Sequence, residues 1–296
     1  MKVQSNGISI EVEDSGETDR PAVLLVMGLG MQLIAWPAAF IDGLHDAGYR
    51  VIRFDNRDVG LSQAFPDRGV PNMMIETLRY RVGLRVRAPY TLADMAADAR
   101  GVLDALRVKA AHVVGVSMGG MIAQRLALSA PHRIASLTSV MSSSGARWLP
   151  GPKPHVLRAL LARPRDNSED AIIDNTMQLL RTIGSPGFPM DEALVRERVR
   201  TATRRSFNPG GTLRQMTAVV ADKRRADELA SMQVPTLVVH GKDDALVPFA
   251  CGEDTARRIP KAQLVGIHGM GHDLPPGVVD RLLQVLLAHL RQTAAR

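Results

Sequence analysis

The chain has 296 residues, enough for one large α/β domain with an insertion or for two small domains. Hydrophobic residues make up 45% and charged residues 23%, which excludes a disordered chain, and no apolar run is long enough to cross a bilayer, so no integral membrane association is expected. The net charge of +7 gathers at Arg79 to Arg87, Arg196 to Arg205 and Lys223 to Arg225; with 4% aromatic residues and no nucleic-acid motif, these clusters read as solvated helix faces, and no nucleic-acid partner is expected.

The N-terminus, Met1-Lys2-Val3-Gln4-Ser5-Asn6-Gly7, turns polar at once and carries no apolar signal segment, so a cytoplasmic location is expected. Met1 to Gln4 is predicted to pair across Ser5-Asn6-Gly7 with the alternating Ile8 to Glu13 as an antiparallel hairpin. Ala22 to Met27 is a short, fully apolar strand, Pro37 to Ala47 a helix ended by Gly48, and Arg50 to Phe54 another strand. The connection from Gln63 to Pro89 is long and holds a short helical pattern at 72–86. Thr91 to Leu106 is an amphipathic helix opened by a Thr91/Asp94 capping box. Strand 111–116, helix 118–130 and strand 134–141 follow. Such strands, apolar throughout and alternating with helices, imply a parallel sheet covered on both faces.

After Met141 the rhythm changes. Ser142-Ser143-Ser144-Gly145 reads as a loop, prolines follow at 150, 152 and 154, and no strand pattern returns before residue 225. Helical patterns lie near 154–163, 168–183, 190–205 and 211–222. Strands resume at 236–240 and 263–268, with helices at 249–258 and 278–291. A helical insertion inside a sheet fold is expected to lie over the carboxyl ends of the strands, where such folds bind ligands. This places a core at 1–145 and 226–296 and a cap at 146–225.

The chemistry centres on Gly115-Val116-Ser117-Met118-Gly119, between a strand and a helix. A turn this tight holds the serine in a strained conformation with its hydroxyl clear of the sheet, and the glycines leave room two residues to either side. A serine hydroxyl needs a base, and a histidine held in one tautomer by a carboxylate supplies it. The acid candidates, Asp243 and Asp244, adjoin each other after strand 236–240. His272 follows strand 263–268 on a loop beside a glycine, placed to reach over the serine, whereas His268 and His240 fall at strand ends and read as structural. No His/Cys/Asp/Glu cluster has metal-ligand spacing, and the lone Cys251 excludes a site of several thiolates, so neither metal nor cofactor is expected. Methionines at strand ends read first as packing, with those at carboxyl ends as candidates to line an apolar pocket.

The elbow, Val26-Met27-Gly28-Leu29-Gly30, Phe54 to Ser62, Gly241 to Pro248 and Gly269 to Pro275 together resemble the α/β-hydrolase superfamily, and within it the carboxylesterases similar to aclacinomycin methylesterase. The resemblance implies an α/β-hydrolase fold, with a mostly parallel eight-stranded sheet, helices on both faces and a helical cap. It implies Ser117, Asp244 and His272 as the catalytic triad, with Asp244 chosen over Asp243 by its spacing to Pro248. Backbone amides of Leu29 and Met118 would form the oxyanion hole, and Gly28, Met141 and Trp148 would border the substrate pocket. It also implies a structural role for the Asp55 to Ser62 turn, with Arg57 bonding nearby carbonyls and carboxylates. The expected partner is a small-molecule carboxylic ester of small to medium size. Lactonase, cofactor-free perhydrolase and C–C hydrolase chemistry on the same triad are alternatives, and a ligand-binding member without catalysis is a remoter one. An epoxide hydrolase or haloalkane dehalogenase would carry aspartate at 117. Met27-Gly28 stands where many relatives have His-Gly, so hydrogen bonding in that loop must differ.

Overall fold

The computed structural model describes residues 1–222 and 224–294. Strands β1 (Lys2–Ser5), β2 (Ile8–Asp14), β3 (Ala22–Val26), β4 (Arg50–Phe54), β5 (Ala111–Val116), β6 (Ile134–Val140), β7 (Thr236–Gly241) and β8 (Gln263–Ile267) form one sheet in the order β1-β2-β4-β3-β5-β6-β7-β8. β1 and β2 form the expected antiparallel hairpin, β2 pairs antiparallel to β4, and every other pairing is parallel.

The helices flanking the sheet are α1 (Ala38–Asp46), α3 (Leu92–Ala105), α4 (Met118–Ser129), α10 (Phe249–Arg258) and α11 (Pro276–Ala294), while α2 (Met73–Arg81) lies in the long connection. Between β6 and β7 come α5 (Pro154–Leu160), α6 (Glu169–Ile183), α7 (Glu192–Arg205) and α8 (Pro209–Ala221), then the single turn α9 (Arg225–Glu228). Thr91 caps α3 with the reciprocal Asp94 bond read from the sequence.

Two apolar clusters explain why β3 is hydrophobic throughout. Ala22, Leu24 and Val26 face one cluster with α3 and α4, whereas Val23 and Leu25 face the other with α1 and α11. Alternate side chains of a strand point to opposite faces, so a strand covered on both sides cannot spare a polar position.

The Asp55 to Asp58 turn ties the insertion to the sheet. Arg57 makes a bidentate pair with Asp98 at 2.6 Å and also donates to the Asp94 carbonyl. Asp55 accepts from the Leu33 and Leu61 amides and from Arg205 at the end of α7. Asp58 receives both arms of Arg214 from α8, at 2.7 and 2.8 Å. Burial alone would push the Asp58 carboxyl up, but Arg214 and the Phe65 amide hold it below the ordinary carboxylate value.

The first basic cluster stays on a solvated face, with Arg81, Arg85 and Arg87 exposed, whereas the other two enter ion pairs. Arg196, Arg200 and Arg204 of α7 pair with Asp174 and Glu169 of α6, which binds the two helices together. Arg225 is 1% exposed. It pairs with Asp222 and donates to Gln124 and to the Ser143 carbonyl. A guanidinium is buried only where carboxylates and carbonyls saturate its donors; here the carboxylate is three residues away, and Gln124 and Ser143 come from remote segments. Lys223, counted in the third cluster, lies outside the described residues. No helix among the described residues is long and apolar enough to cross a membrane.

Candidate active site

Ser117 sits at φ 56°, ψ −120°, between the end of β5 and the start of α4. A β-carbon on Gly115 would lie 2.2 Å from the Gly119 carbonyl oxygen, and one on Gly119 would lie 2.0 Å from that of Val26, so both positions must be glycine. The strained serine costs about 1–3 kcal/mol, offset by anchors around it. Its amide donates to Val140 at 2.9 Å, and its carbonyl accepts from Ser142 Oγ at 2.7 Å as well as from the Gly120 and Met121 amides.

Three side chains from three loops meet here. His272 Nε2 is 3.0 Å from Ser117 Oγ, and its Nδ1 is 2.7 Å from Asp244 Oδ2. Asp244 Oδ1 takes the Leu246 and Val247 amides at 2.9 and 2.8 Å. That carboxylate is thus held from one side while its other oxygen faces the imidazole. Asp243, its neighbour, is exposed and accepts the Gly269 amide at 2.8 Å. With Nδ1–H directed at Asp244, the Nε2 lone pair of His272 faces the serine hydroxyl, so the cluster can take a proton from Ser117 and return it.

The loop after β3 runs beside the serine. A β-carbon on Gly28 would lie 3.3 Å from Ser117 Cβ, so Gly28 packs against Ser117. Neither the Leu29 amide nor the Met118 amide has a protein acceptor among the described residues. Asn56 Nδ2 donates to the Met27 carbonyl, and Gln215 Oε1 of α8 accepts the Gly30 amide at 2.9 Å. These two contacts hold the loop, with methionine at position 27.

Two of the pocket expectations are corrected. Trp148 is 89% exposed, with the Arg147 guanidinium 5.7 Å from its ring centroid, so it lies on the outside of the loop preceding α5. Met141 is 1% exposed and packs with Met27, Val140 and Met270 in the cluster beneath α11, which makes it core rather than a wall. Its place at the strand end suggested a lining role, but Met141 stands one residue past β6 at φ 41°, a break in the strand that turns its side chain into the same cluster as Val140.

The insertion supplies contacts that no local pattern announces. The Ile183 carbonyl at the end of α6 accepts the His272 amide at 2.7 Å, and Ser185 Oγ accepts the Gly271 amide at 2.9 Å while donating to Asp273. Gly187 donates to the Gly269 carbonyl at 2.9 Å. The histidine loop is thus clamped on both sides of His272. Burial raises the Asp273 carboxyl above its ordinary value against the lowering effect of Ser185. His240 is structural: its Nε2 bonds the Val247 carbonyl at 2.7 Å, and burial lowers its pKa. His268 lies at the surface end of β8, 3.0 Å from Lys242 Nζ. Cys251 is a free, buried thiol whose pKa is pushed up to about 11 by desolvation, which leaves it inert as a nucleophile at neutral pH. No group of three potential metal ligands occurs among the described residues.

A serine–histidine–aspartate cluster on a strand–turn–helix elbow, set in this sheet order, defines a class. The α/β hydrolase fold family matches residues 21–275, and the chain belongs to it. It is similar to the rhodomycin D methylesterase DauP of Streptomyces sp. (strain C5), at 29% identity over 98% of this chain and 97% of the relative. It is also similar to the putative carbamate hydrolase RutD of Variovorax paradoxus (strain S110), at 30% identity over 89% of each chain. Among solved structures, the enol-lactonase from Burkholderia xenovorans LB400 superposes with a TM-score of 0.72 at 22% identity, covering 98% of this chain and 100% of that one.

Proposed function

We propose that this protein is a serine hydrolase that cleaves carboxylic esters through an acyl-enzyme. The observation that carries the reading is the relay Ser117 Oγ to His272 Nε2 at 3.0 Å and His272 Nδ1 to Asp244 Oδ2 at 2.7 Å. Ser117 attacks the ester carbonyl as His272 takes its proton. Negative charge then gathers on the carbonyl oxygen, where the Leu29 and Met118 amides stabilise it, helped by the N-terminus of α4. His272 returns the proton to the leaving alkoxide, and the alcohol departs. A water activated by the same imidazole hydrolyses the acyl-serine.

The methylesterase relatives support a methyl or similarly small alcohol group on a larger acid. Residues 146–225 act as the cap in this reading. Support comes from Ile183 and Ser185, which bond the histidine loop, and from Gln215, which bonds the loop bearing Leu29. Ester and lactone panels run side by side on wild type and Ser117→Ala test the proposal. Ester turnover is expected to fall by about 10⁴ or more in the alanine variant, with unchanged circular dichroism. Near-normal kcat in that variant refutes it, and lactones turned over faster than every ester move the substrate class.

A further inference from the structure

Helix α2 is turned inside out. At 100° per residue, Met74, Ile75, Leu78, Arg81 and the following Val82 fall within an arc of about 120°. That arc faces solvent: Met74 is 84%, Leu78 62% and Val82 60% exposed. The opposite side carries the acid. Glu76 is buried, accepts the Arg87 amide at 2.7 Å and pairs with Arg79. Met73, on the same inner side, accepts from Thr217 of α8. A surface helix of a globular protein ordinarily buries its apolar stripe and exposes its charges. Here the acid is inside, and the stripe has no cover.

Charge surrounds the stripe. Between residues 68 and 90 the chain holds Arg68, Arg79, Arg81, Arg85 and Arg87 against the single acid Glu76. The guanidinium groups of Arg81, Arg85 and Arg87 are exposed and have no carboxylate partner among the described residues. We propose that residues 70–87 form a docking surface for an anionic lipid bilayer. Leu78, Met74 and Val82 enter the acyl boundary, while the arginines remain at the level of the phosphates with their stems along the apolar layer. A polyanion such as nucleic acid would satisfy the arginines and leave the stripe in water. A second copy docked through the same face would set Arg81, Arg85 and Arg87 against their own equivalents, which like-charge repulsion disfavours. The surface lies one helix from the loop bearing Leu29, since α2 packs on α8, whose Gln215 holds the Gly30 amide.

Vesicle flotation of the full chain, read without any substrate, tests the inference independently of the hydrolase reading. Vesicles of phosphatidylcholine alone are compared with vesicles that also contain phosphatidylglycerol. Leu78→Ser with Val82→Ser removes the stripe, and Arg81→Glu with Arg85→Glu reverses the charge. The wild type is expected to float only with the anionic vesicles, less so at raised salt, and each double variant to lose about tenfold or more in partitioning. Hydrolysis of a soluble ester is expected to stay unchanged in both variants, which shows that they fold. No flotation of the wild type, or flotation unaffected by either variant, overturns the proposal. A concentration-dependent dimer in light scattering that Leu78→Ser with Val82→Ser abolishes also overturns it, by assigning the stripe to a second copy.

Discussion

Replacing Asp244 by asparagine perturbs one proton and almost nothing else. The carboxylate is 4% exposed, and its surroundings dictate which way the new amide must sit. Oδ1 accepts two backbone amides, from Leu246 and Val247. Turning an NH2 group toward those donors would lose both hydrogen bonds, so the amide oxygen stays there and Nδ2–H points at His272 Nδ1. That nitrogen must then become an acceptor, and its proton moves to Nε2. In this tautomer His272 presents N–H to Ser117 Oγ, 3.0 Å away, and cannot take the serine proton. The expected loss in kcat is about 10⁴, or about 5.5 kcal/mol of transition-state stabilisation, with the fold retained. The paired control is Asp243→Asn. Asp243 is exposed, and asparagine keeps an acceptor for the Gly269 amide, so the rate is expected to change by less than about threefold. Steady-state hydrolysis of a p-nitrophenyl ester, with thermal melts of each variant, reads both. Equal losses, or a larger loss for Asp243→Asn, would refute the assignment of the tautomer-fixing role to Asp244.

Three further outcomes are expected. Ser185→Ala removes both the acceptor of the Gly271 amide and the donor to Asp273, so kcat is expected to fall about tenfold with KM little changed, and Ser185→Thr to restore most of it; unchanged kinetics would make the clamp irrelevant to His272. Arg214→Met leaves Asp58 buried without its bidentate partner and is expected to cost about 3–5 kcal/mol in urea unfolding, and a cost below about 1 kcal/mol would show that the insertion docks by other contacts. Desolvation lowers the His112 pKa to about 4 from an ordinary 6.5. Below about pH 6.5 the unfolded chain therefore binds a proton that the native imidazole refuses, and stability is lost progressively as pH falls toward 4, by at most about 3 kcal/mol from this group. His112→Gln is expected to flatten the pH dependence of urea stability across that window, and parallel curves for the two proteins would contradict it.

Whatever depends on a few neighbouring residues was legible in the sequence. The alternation in β2, the apolar strands β3 to β7, the capping box at Thr91 and Asp94 and the glycine-flanked turn at Ser117 are all set by local dihedral preferences, short-range hydrogen bonds and the period of apolar residues. Strand, turn and helix around Ser117 lie within one short segment, so the elbow and its serine could be read directly. Asp243 and Asp244 could not be separated by their own chemistry. They differ because only one points inward when the turn after β7 closes, and the resemblance to known hydrolases, through the spacing to Pro248, selected Asp244.

Tertiary structure alone decided the rest. Arg205 meets Asp55, and Arg214 meets Asp58, across about 150 residues of chain. In the sequence they belong to a basic run or an isolated polar position with nothing to mark a partner. The same holds for Ser185 on Gly271 and for Gln215 on Gly30. Trp148 and Met141, given the same place at the pocket border, lie at the surface and in the core, because exposure is settled by what a neighbouring element covers and not by hydrophobicity. Local chemistry wrote the elements and the serine; the contacts that bring the insertion onto both loops of the site are long-range, and they exist only once the sheet has brought those loops together.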